Sequence, residues 1–209
     1  MSLVEQIDER LHLLSGRLSL VLFERELPTQ NTAIFTVANH IGTWLRDFWP
    51  NFAGYFDLII IDTPPGLSIL AECAIREADL IVVPQAPDRL STQGLEVYAK
   101  YLTRHLGLKD IGQKTAVFIN MQPSPLTKVA QRNLKRISEM AGNAEFPYRV
   151  FDARYPIRNA FRDAMGRDRP APFENLWTDA TDHVLAATRE LWTMLNRPLS
   201  NDAHDALTG

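Results

Sequence analysis

Hydrophobic positions along the chain fall into short aliphatic runs, separated by longer stretches in which apolar residues recur at helical spacing. Three of the runs contain no polar residue, which is typical of strands buried on both faces of a parallel sheet. A fourth, more polar run closes the series. The predicted strands are Leu58–Ile61, Leu80–Val83, Ala116–Ile119 and Tyr148–Phe151.

The stretches between and around these runs repeat apolar residues every three or four positions, as amphipathic helices do. A helix over residues 34–48 is expected to end at Pro50, and Gly166 is a favourable C-terminal cap for a short helix over 157–165. Ser91 is predicted to be the N-cap of the helix that it begins, over 91–105. Further helices are predicted over 67–78, 91–105, 126–141 and 175–196, and strands over one or both of 12–14 and 18–22.

The alternation of short strands with longer helices predicts an α/β fold, in which helices cover both faces of a parallel sheet. A length of 209 residues is enough for one ordinary domain with a real core and too short for two. We therefore expect a single domain over residues 1–197, followed by a flexible tail over 198–209.

The composition of the chain limits the classes of protein to which it can belong. Hydrophobic residues make up 45% of the chain and charged residues 22%, which is ordinary for a globular protein. The formal net charge is −3, so any contact with nucleic acid must come from a local basic patch. A single cysteine, Cys73, excludes an internal disulfide. No apolar run is long enough to cross a bilayer and no signal peptide is recognisable, so a cytoplasmic location is predicted.

Candidate chemistry lies where the predicted strands end, because ligands of such sheets bind beyond the carboxyl ends of the strands. Asp62 follows the aliphatic run Leu58–Ile61, a position from which a carboxylate can hold a Mg²⁺-bound water. Alternatively, the acid caps the next helix or is merely solvated. Asn120 ends another strand, where it either contacts a ligand or serves as a turn residue.

The loop after Asp62 has an unusual sequence, Thr63-Pro64-Pro65-Gly66. Two consecutive prolines fix their φ angles and remove two N–H donors, so the loop is stiff and continues neither strand nor helix. Gly66 permits a positive φ angle or a close approach of the backbone to a ligand. A stiff loop with a free glycine N–H suits a sensor of a terminal phosphate.

The segment from Asp57 to Gly66 resembles the Walker B and switch II segment of ParA/MinD-type P-loop ATPases. Residues 78–95, 117–121 and 158–166 resemble, in the same order, later segments of that family. The resemblance implies a P-loop NTPase-like fold with ATP and Mg²⁺ as cofactors. It also implies roles for individual residues: Asp62 would hold the metal-bound water, Thr63, Pro64, Pro65 and Gly66 would sense the γ-phosphate, and Asn120 would face adenine.

Members of that family also carry a Lys-Gly-Gly-type phosphate loop and a switch I acid, and neither is found in this sequence. The chain has no Gly-Lys pair, and its lysines all follow the Walker B-like segment. No catalytic residue is therefore assigned. In the family the phosphate-loop strand lies beside the Walker B strand, so its absence is expected to leave apolar strand edges bare and open to pairing with another chain.

Three explanations for the missing loop stay open. The protein could have about 60 to 100 further residues upstream, judged from ordinary domain size. It could be a degenerate, non-hydrolysing relative that acts by binding partners, or it could bind a nucleotide in trans within a dimer. The predicted function is that of a ParA-like protein of plasmid or DNA partition or cargo positioning, acting through nucleotide-linked dimerisation if an upstream phosphate loop is supplied. The resemblance implies a homo-oligomer and, separately, a ParB-like partner. The alternative is a binding and oligomerisation module.

The densest basic stretch lies late in the chain. Arg154, Arg158 and Arg162 recur at a spacing of four and could share a helical face. The resemblance makes them candidate contacts to non-specific DNA, and hence to the nucleoid; alternatively, they form a solvated face paired with nearby aspartates. The last predicted helix lacks the basic amphipathic character of membrane-binding MinD tails, so no membrane partner is expected.

Overall fold

The structure is a computed structural model, and the chain divides into two compact units, Met1–Glu77 and Ala78–Gly209. The single domain expected over 1–197 stays a prediction, and the tail over 198–209 lies outside the described residues. The structure describes residues 4–6, 9, 11–14, 55–63, 66, 68–108, 110–165 and 177–195.

The first unit contains a small antiparallel ladder and a helix. Strand β1 (Val4–Gln6) pairs with β2 (His12–Leu14), and helix α1 covers Ile69–Glu77. The strand predicted at 12–14 and the helix predicted at 67–78 are therefore confirmed, and Cys73 is buried in α1. The elements predicted at 18–22 and 34–48 lie outside the described residues.

The prediction of a buried strand at Leu58–Ile61 is wrong. Within the described residues this segment belongs to no sheet. Its three isoleucines are exposed, with 79% of Ile60, 41% of Ile59 and 44% of Ile61 accessible to solvent, and Leu58 is half-buried. Aliphatic residues give a segment the propensity to form a strand, but a strand also needs a neighbour for its N–H and C=O groups.

The second unit is built on a parallel sheet whose strands follow the order β3-β4-β5 in the described part of the chain. Helices connect successive strands and flank the sheet, as parallel pairing requires. This arrangement confirms the predicted α/β class and agrees with a P-loop NTPase-like fold. The elements are β3 (Ile81–Gln85), α2 (Arg89–Lys100), β4 (Thr115–Gln122), α3 (Lys128–Ala141), β5 (Arg149–Pro156), α4 (Asn159–Met165) and α5 (Thr181–Met194).

Strand β3 differs from its prediction in two ways. It extends past its predicted end at Val83, so that Pro84 lies within the strand, in register with Phe118 of β4. Val82 is 40% exposed and Pro84 is also exposed, so β3 is not buried on both faces. Both features suit an edge strand, where a proline that lacks an N–H donor is tolerated.

Helix α2 starts earlier than predicted. Its N-cap is Asp88, whose carboxylate accepts a hydrogen bond from the Ser91 N–H at 2.8 Å and another from the Ser91 hydroxyl at 3.0 Å. The prediction of Ser91 as the N-cap was therefore wrong. The carboxylate of Asp88, three residues upstream, accepts the hydrogen bond from a free N–H group in the first turn of the helix. The helix continues as a π-helix over Tyr101–His105, and a 3₁₀ helix over Ile111–Lys114 leads into β4.

Packing covers both faces of β4. Ala116 and Phe118 lie in a cluster with Phe151 of β5, against which Leu191 and Met194 of α5 pack. Val117 and Ile119 point to the opposite face, because side chains alternate along a strand, and they are 0% and 1% exposed. The strand predicted at Ala116–Ile119 is thus confirmed as doubly buried. Gly166, predicted to close the short helix, lies outside the described residues.

Buried tyrosines make the second unit sensitive to alkali. Burial raises the pKa of Tyr98 to about 12 and also raises the pKa values of Tyr148 and Tyr155. An unfolded tyrosine titrates near pH 10, so above that pH the unfolded chain loses protons that the folded chain keeps, and stability falls as the pH rises toward the folded pKa.

We expect the free energy of unfolding to drop between pH 10 and pH 11, with Tyr98 contributing on the order of 1 kcal/mol of that drop. Urea titrations of the wild type and Tyr98→Phe across this range measure the drop. The Tyr98→Phe curve should be flatter than that of the wild type. Parallel curves would contradict the assignment to Tyr98.

Candidate functional site

The segment predicted to hold metal and sense phosphate lies in the first unit. Asp62 and Thr63 follow the exposed run Leu58–Ile61 and are themselves exposed. Gly66 has a φ angle of 104°, a conformation that favours glycine, so the expected positive φ is confirmed there. Pro64 and Pro65 lie outside the described residues. The carboxylate of Asp62 and the hydroxyl of Thr63 are therefore both accessible to a ligand.

Asn120, the predicted adenine contact, lies in the second unit near the end of β4. Its Oδ1 accepts a hydrogen bond from the Met121 N–H at 2.8 Å, which is the local bond of a turn residue. Its amide N–H groups have no partner within the described residues, so they are free to donate to a ligand. Met121 has a φ angle of 54°, which is uncommon for a residue other than glycine. The geometry of Asn120 is therefore compatible both with contact to a ligand and with a role as a turn residue.

Other amides accompany Asn120 at the carboxyl ends of these strands. Gln85 ends β3, is only 4% exposed, and its Nε2 donates weakly to the Ala86 carbonyl at 3.4 Å. Gln122 ends β4, and its Oε1 accepts a hydrogen bond from Arg154 Nη1 at 3.3 Å. Neither glutamine was predicted from the sequence, although each ends a strand, which is the same signal that singled out Asn120.

The three arginines predicted to share a helical face lie on three different elements. Arg154 is in β5, Arg158 is in the connection after β5, and Arg162 is in α4, where its side chain is not described. Arg158 pairs with Asp179 at 3.4 Å, and both side chains are about half exposed, at 46% and 61%. The shared helical face was therefore wrong, because Pro156 belongs to a strand that runs through the first gap.

The sequence matches a known family of protein domains. The family model described as "AAA domain" matches residues 2–108, about half of the chain. The chain belongs to the AAA-domain family. This family has a P-loop ATPase-like domain and is related to the ParA/MinD proteins. No curated protein matches the sequence.

P-loop ATPase-like domains generally bind a nucleotide and Mg²⁺, so the residues of this AAA-domain chain can be tested against that ligand. Asp62 and Thr63 offer oxygen atoms of the kind that Mg²⁺ prefers. The described residues contain no group of three or more His, Cys, Asp or Glu side chains that could hold a metal ion. Mg²⁺ held at Asp62 would therefore need water and phosphate oxygens as its other ligands.

The sequence of this AAA-domain chain contains no P-loop signature for binding the phosphates. A P-loop binds them with the backbone N–H groups of a glycine-rich turn and with a lysine, and the sequence has no Gly-Lys pair. Taken separately, Asp62 offers a carboxylate for a metal-bound water and Asn120 offers amide donors for a base, whereas the sequence lacks the P-loop signature that holds a triphosphate. No step of hydrolysis can be derived from them. Among the described residues, no helix is long and apolar enough to cross a membrane.

Proposed function

We propose that the chain is a ParA-like protein of DNA partition or cargo positioning, which acts through nucleotide-linked self-association. Its phosphate loop would come from outside these 209 residues, either from an upstream segment or from another chain. The exposed run Leu58–Ile61 carries the proposal. Four consecutive aliphatic residues directly before Asp62 lie in no sheet of the described chain, and Ile60 is 79% exposed.

A phosphate-loop strand beside this run would build the run into a sheet, and the helices that cover the faces of such a sheet would bury these side chains. It would also satisfy the backbone groups of the run and hold Asp62 at the end of a paired strand. Burial of an isoleucine side chain contributes about 1.5–3 kcal/mol, so insertion of the strand has a substantial driving force. Bound Mg²⁺ would neutralise phosphate charge. Asp62 would orient a metal-bound water, Thr63 to Gly66 would lie near the terminal phosphate, and Asn120 would donate to the base.

The cellular part of the proposal rests on the family relationship. A DNA or other cargo would be positioned in the cytoplasm by a dimer, with a ParB-like partner stimulating it. Arg154, Arg158 and Arg162 remain candidates for contact with DNA. The ion pair between Arg158 and Asp179 is exposed on both sides, so it would cost little to exchange Asp179 for a phosphate.

A fusion that places a β-strand and a Lys-Gly-Gly loop ahead of Met1 tests the proposal. We expect the fusion to bind a fluorescent ATP analogue with Mg²⁺, and the chain alone not to bind it at millimolar concentration. Asn120→Ala in the fusion should weaken binding, whereas Asn143→Ala, at an exposed position in another turn, should not.

If the fusion does not bind the ATP analogue, hydrogen exchange of the amides in Leu58–Ile61 shows whether the added strand pairs with this run. Slow exchange without nucleotide binding would show that a strand pairs there but forms no nucleotide site, and the proposal would fail. Fast exchange would show that the segment does not accept the strand, and this result would also refute the proposal.

The same exposed run favours a second candidate, a degenerate AAA-domain protein that serves as a binding and oligomerisation module. In that case Leu58–Ile61 would be covered by another protein chain, without nucleotide. Light scattering after gel filtration separates the two candidates. A stable oligomer of the chain alone, unaffected by Mg²⁺-ATP and lost in Ile60→Lys, would favour the module.

A further inference from the structure

Helix α3 carries an unusual concentration of positive charge. It has four basic residues and one acidic residue in a chain whose formal net charge is −3. All four basic residues are exposed, and three of them define what we call the α3 basic face: Lys128, Arg132 and Lys135. The fourth, Arg136, is engaged in an ion pair with Glu96 of α2.

The three residues of the α3 basic face lie on one side of the helix. At 3.6 residues per turn, their positions fall within an arc of about 60° and span about 10 Å along the axis. The buried residues of α3, Ala130 and Ile137, are 2% and 1% exposed and lie about 180° away on the same helical wheel. The helix therefore packs through its apolar side and presents the α3 basic face to solvent.

Little within the protein neutralises this charge. Lys128 and Arg132 have no ion-pair partner among the described residues. Lys135 pairs with Glu139 at 3.7 Å, but both side chains are largely exposed, at 78% and 64%. Such a surface pair contributes little to stability and is readily exchanged.

The position of Lys128 argues against a purely structural role. It is the first residue of α3, directly after the N-cap Thr127, and no acidic residue lies in the first turn. The helix dipole favours negative charge at this end, so a lysine there is unfavourable for the helix. The nearest connecting residues, 123–127, are also uncharged. A phosphate group would be attracted both by Lys128 and by the N-terminal end of the helix.

We propose that the α3 basic face binds the phosphate backbone of duplex DNA without sequence preference. Duplex DNA carries one negative charge per about 1.7 Å of its axis, so three cations over about 10 Å can each reach phosphates. The inference deepens the proposed function, since it names a surface for DNA distinct from Arg154, Arg158 and Arg162. Its test requires neither a nucleotide nor a phosphate loop, so it can fail while the nucleotide site stands.

An anionic membrane is the less favoured partner of the α3 basic face. A helix that lies in a membrane surface needs Trp, Phe or Leu side chains beside its basic residues. On α3 the exposed large apolar residue is Val129, which is 56% exposed, while Ile137 is buried in the protein. The apolar side of the helix is thus already occupied.

Fluorescence anisotropy of a labelled duplex of about 30 base pairs, between about 50 and 200 mM KCl, tests the proposal. In the triple variant Lys128→Gln, Arg132→Gln and Lys135→Gln, we expect about tenfold or weaker binding at the lowest salt. The slope of log K against log salt should fall by about 3. The matched control removes three exposed cations from other elements: Lys100→Gln, Arg149→Gln and Arg189→Gln.

The control variant should retain the larger part of the wild-type slope of log K against log salt. Both variants should have Tm values close to that of the wild type. Equal losses in the two variants would overturn the proposal, because net charge alone would then account for binding. No binding by the wild type at the lowest salt would also overturn it. So would flotation of the wild type with phosphatidylserine vesicles while DNA is not bound.

Discussion

Glu190→Ala is expected to lower the free energy of unfolding by about 2–3 kcal/mol, because the carboxylate accepts two charge-assisted hydrogen bonds. Glu190 of α5 accepts the N–H of Asp152 at 2.8 Å and the N–H of Ala153 at 2.9 Å. Both donors lie in β5, where the ladder steps from Val117–Val150 to Ile119–Arg154 and β5 carries extra residues. Glu190 thus replaces the strand partner that the bulge leaves out.

Thermal melting measures the loss, which corresponds to a decrease in Tm of about 4–12 °C for a chain of this size. Glu190→Gln should fall between alanine and the wild type, because an amide oxygen can accept one of the two bonds but its NH₂ group opposes the other donor. Glu139→Ala, which removes an exposed carboxylate, is the control and should change Tm little. A melting curve of Glu190→Ala equal to that control would contradict the bridging role.

Gly112→Ala is expected to cost about 1–3 kcal/mol through overpacking. A Cβ atom at Gly112 would lie 2.6 Å from the carbonyl oxygen of Pro147 and 3.0 Å from its nitrogen. Both are backbone atoms, so no side chain can rotate away to make room. The 3₁₀ helix that precedes β4 therefore needs glycine where it passes the segment before β5.

Gly94→Ala provides the matched control, since the same substitution is made in the exposed part of α2. A Cβ atom at Gly94 would meet nothing within 4 Å. Alanine there should raise the free energy of unfolding by about 0.5–1 kcal/mol, because glycine is a poor helix former. The two variants should shift the urea midpoint in opposite directions. A higher urea midpoint for Gly112→Ala than for the wild type would contradict the prediction, because it would show that the backbone at Pro147 moves to make room for the Cβ atom.

Where the sequence predicted the fold correctly, local pattern and final packing agree. The run Ala116–Ile119 is apolar at every position and ends up buried on both faces, as its composition requires. The same kind of run at Leu58–Ile61 gave a wrong prediction. Its composition is equally aliphatic, but the pairing of a strand depends on a neighbour that can be far away in sequence, and no local pattern reports whether one is present.

The candidate site was predicted only in part, for a related reason. Asp62 and Asn120 could be proposed as site residues because an acid or amide after an apolar run is visible in the sequence. The hydrogen bond from the Met121 N–H to Asn120 and the positive φ of Met121 occur where the register with β5 is irregular, which no local pattern indicates. The hydrogen bonds of Glu190 to β5 could not be predicted either, since they join residues almost forty positions apart.

The exposed run Leu58–Ile61 has a consequence for how the protein is handled. Uncharged aliphatic segments that solvent can reach are prone to self-association through cross-β pairing, and flanking charges are the usual protection. Here Asp57 and Asp62 border the run on its two sides. Asp62→Asn, an obvious substitution for testing the metal site, would therefore also remove half of that protection. Any loss of function in that variant has to be separated from loss of solubility, for which Asp57→Asn is the natural comparison.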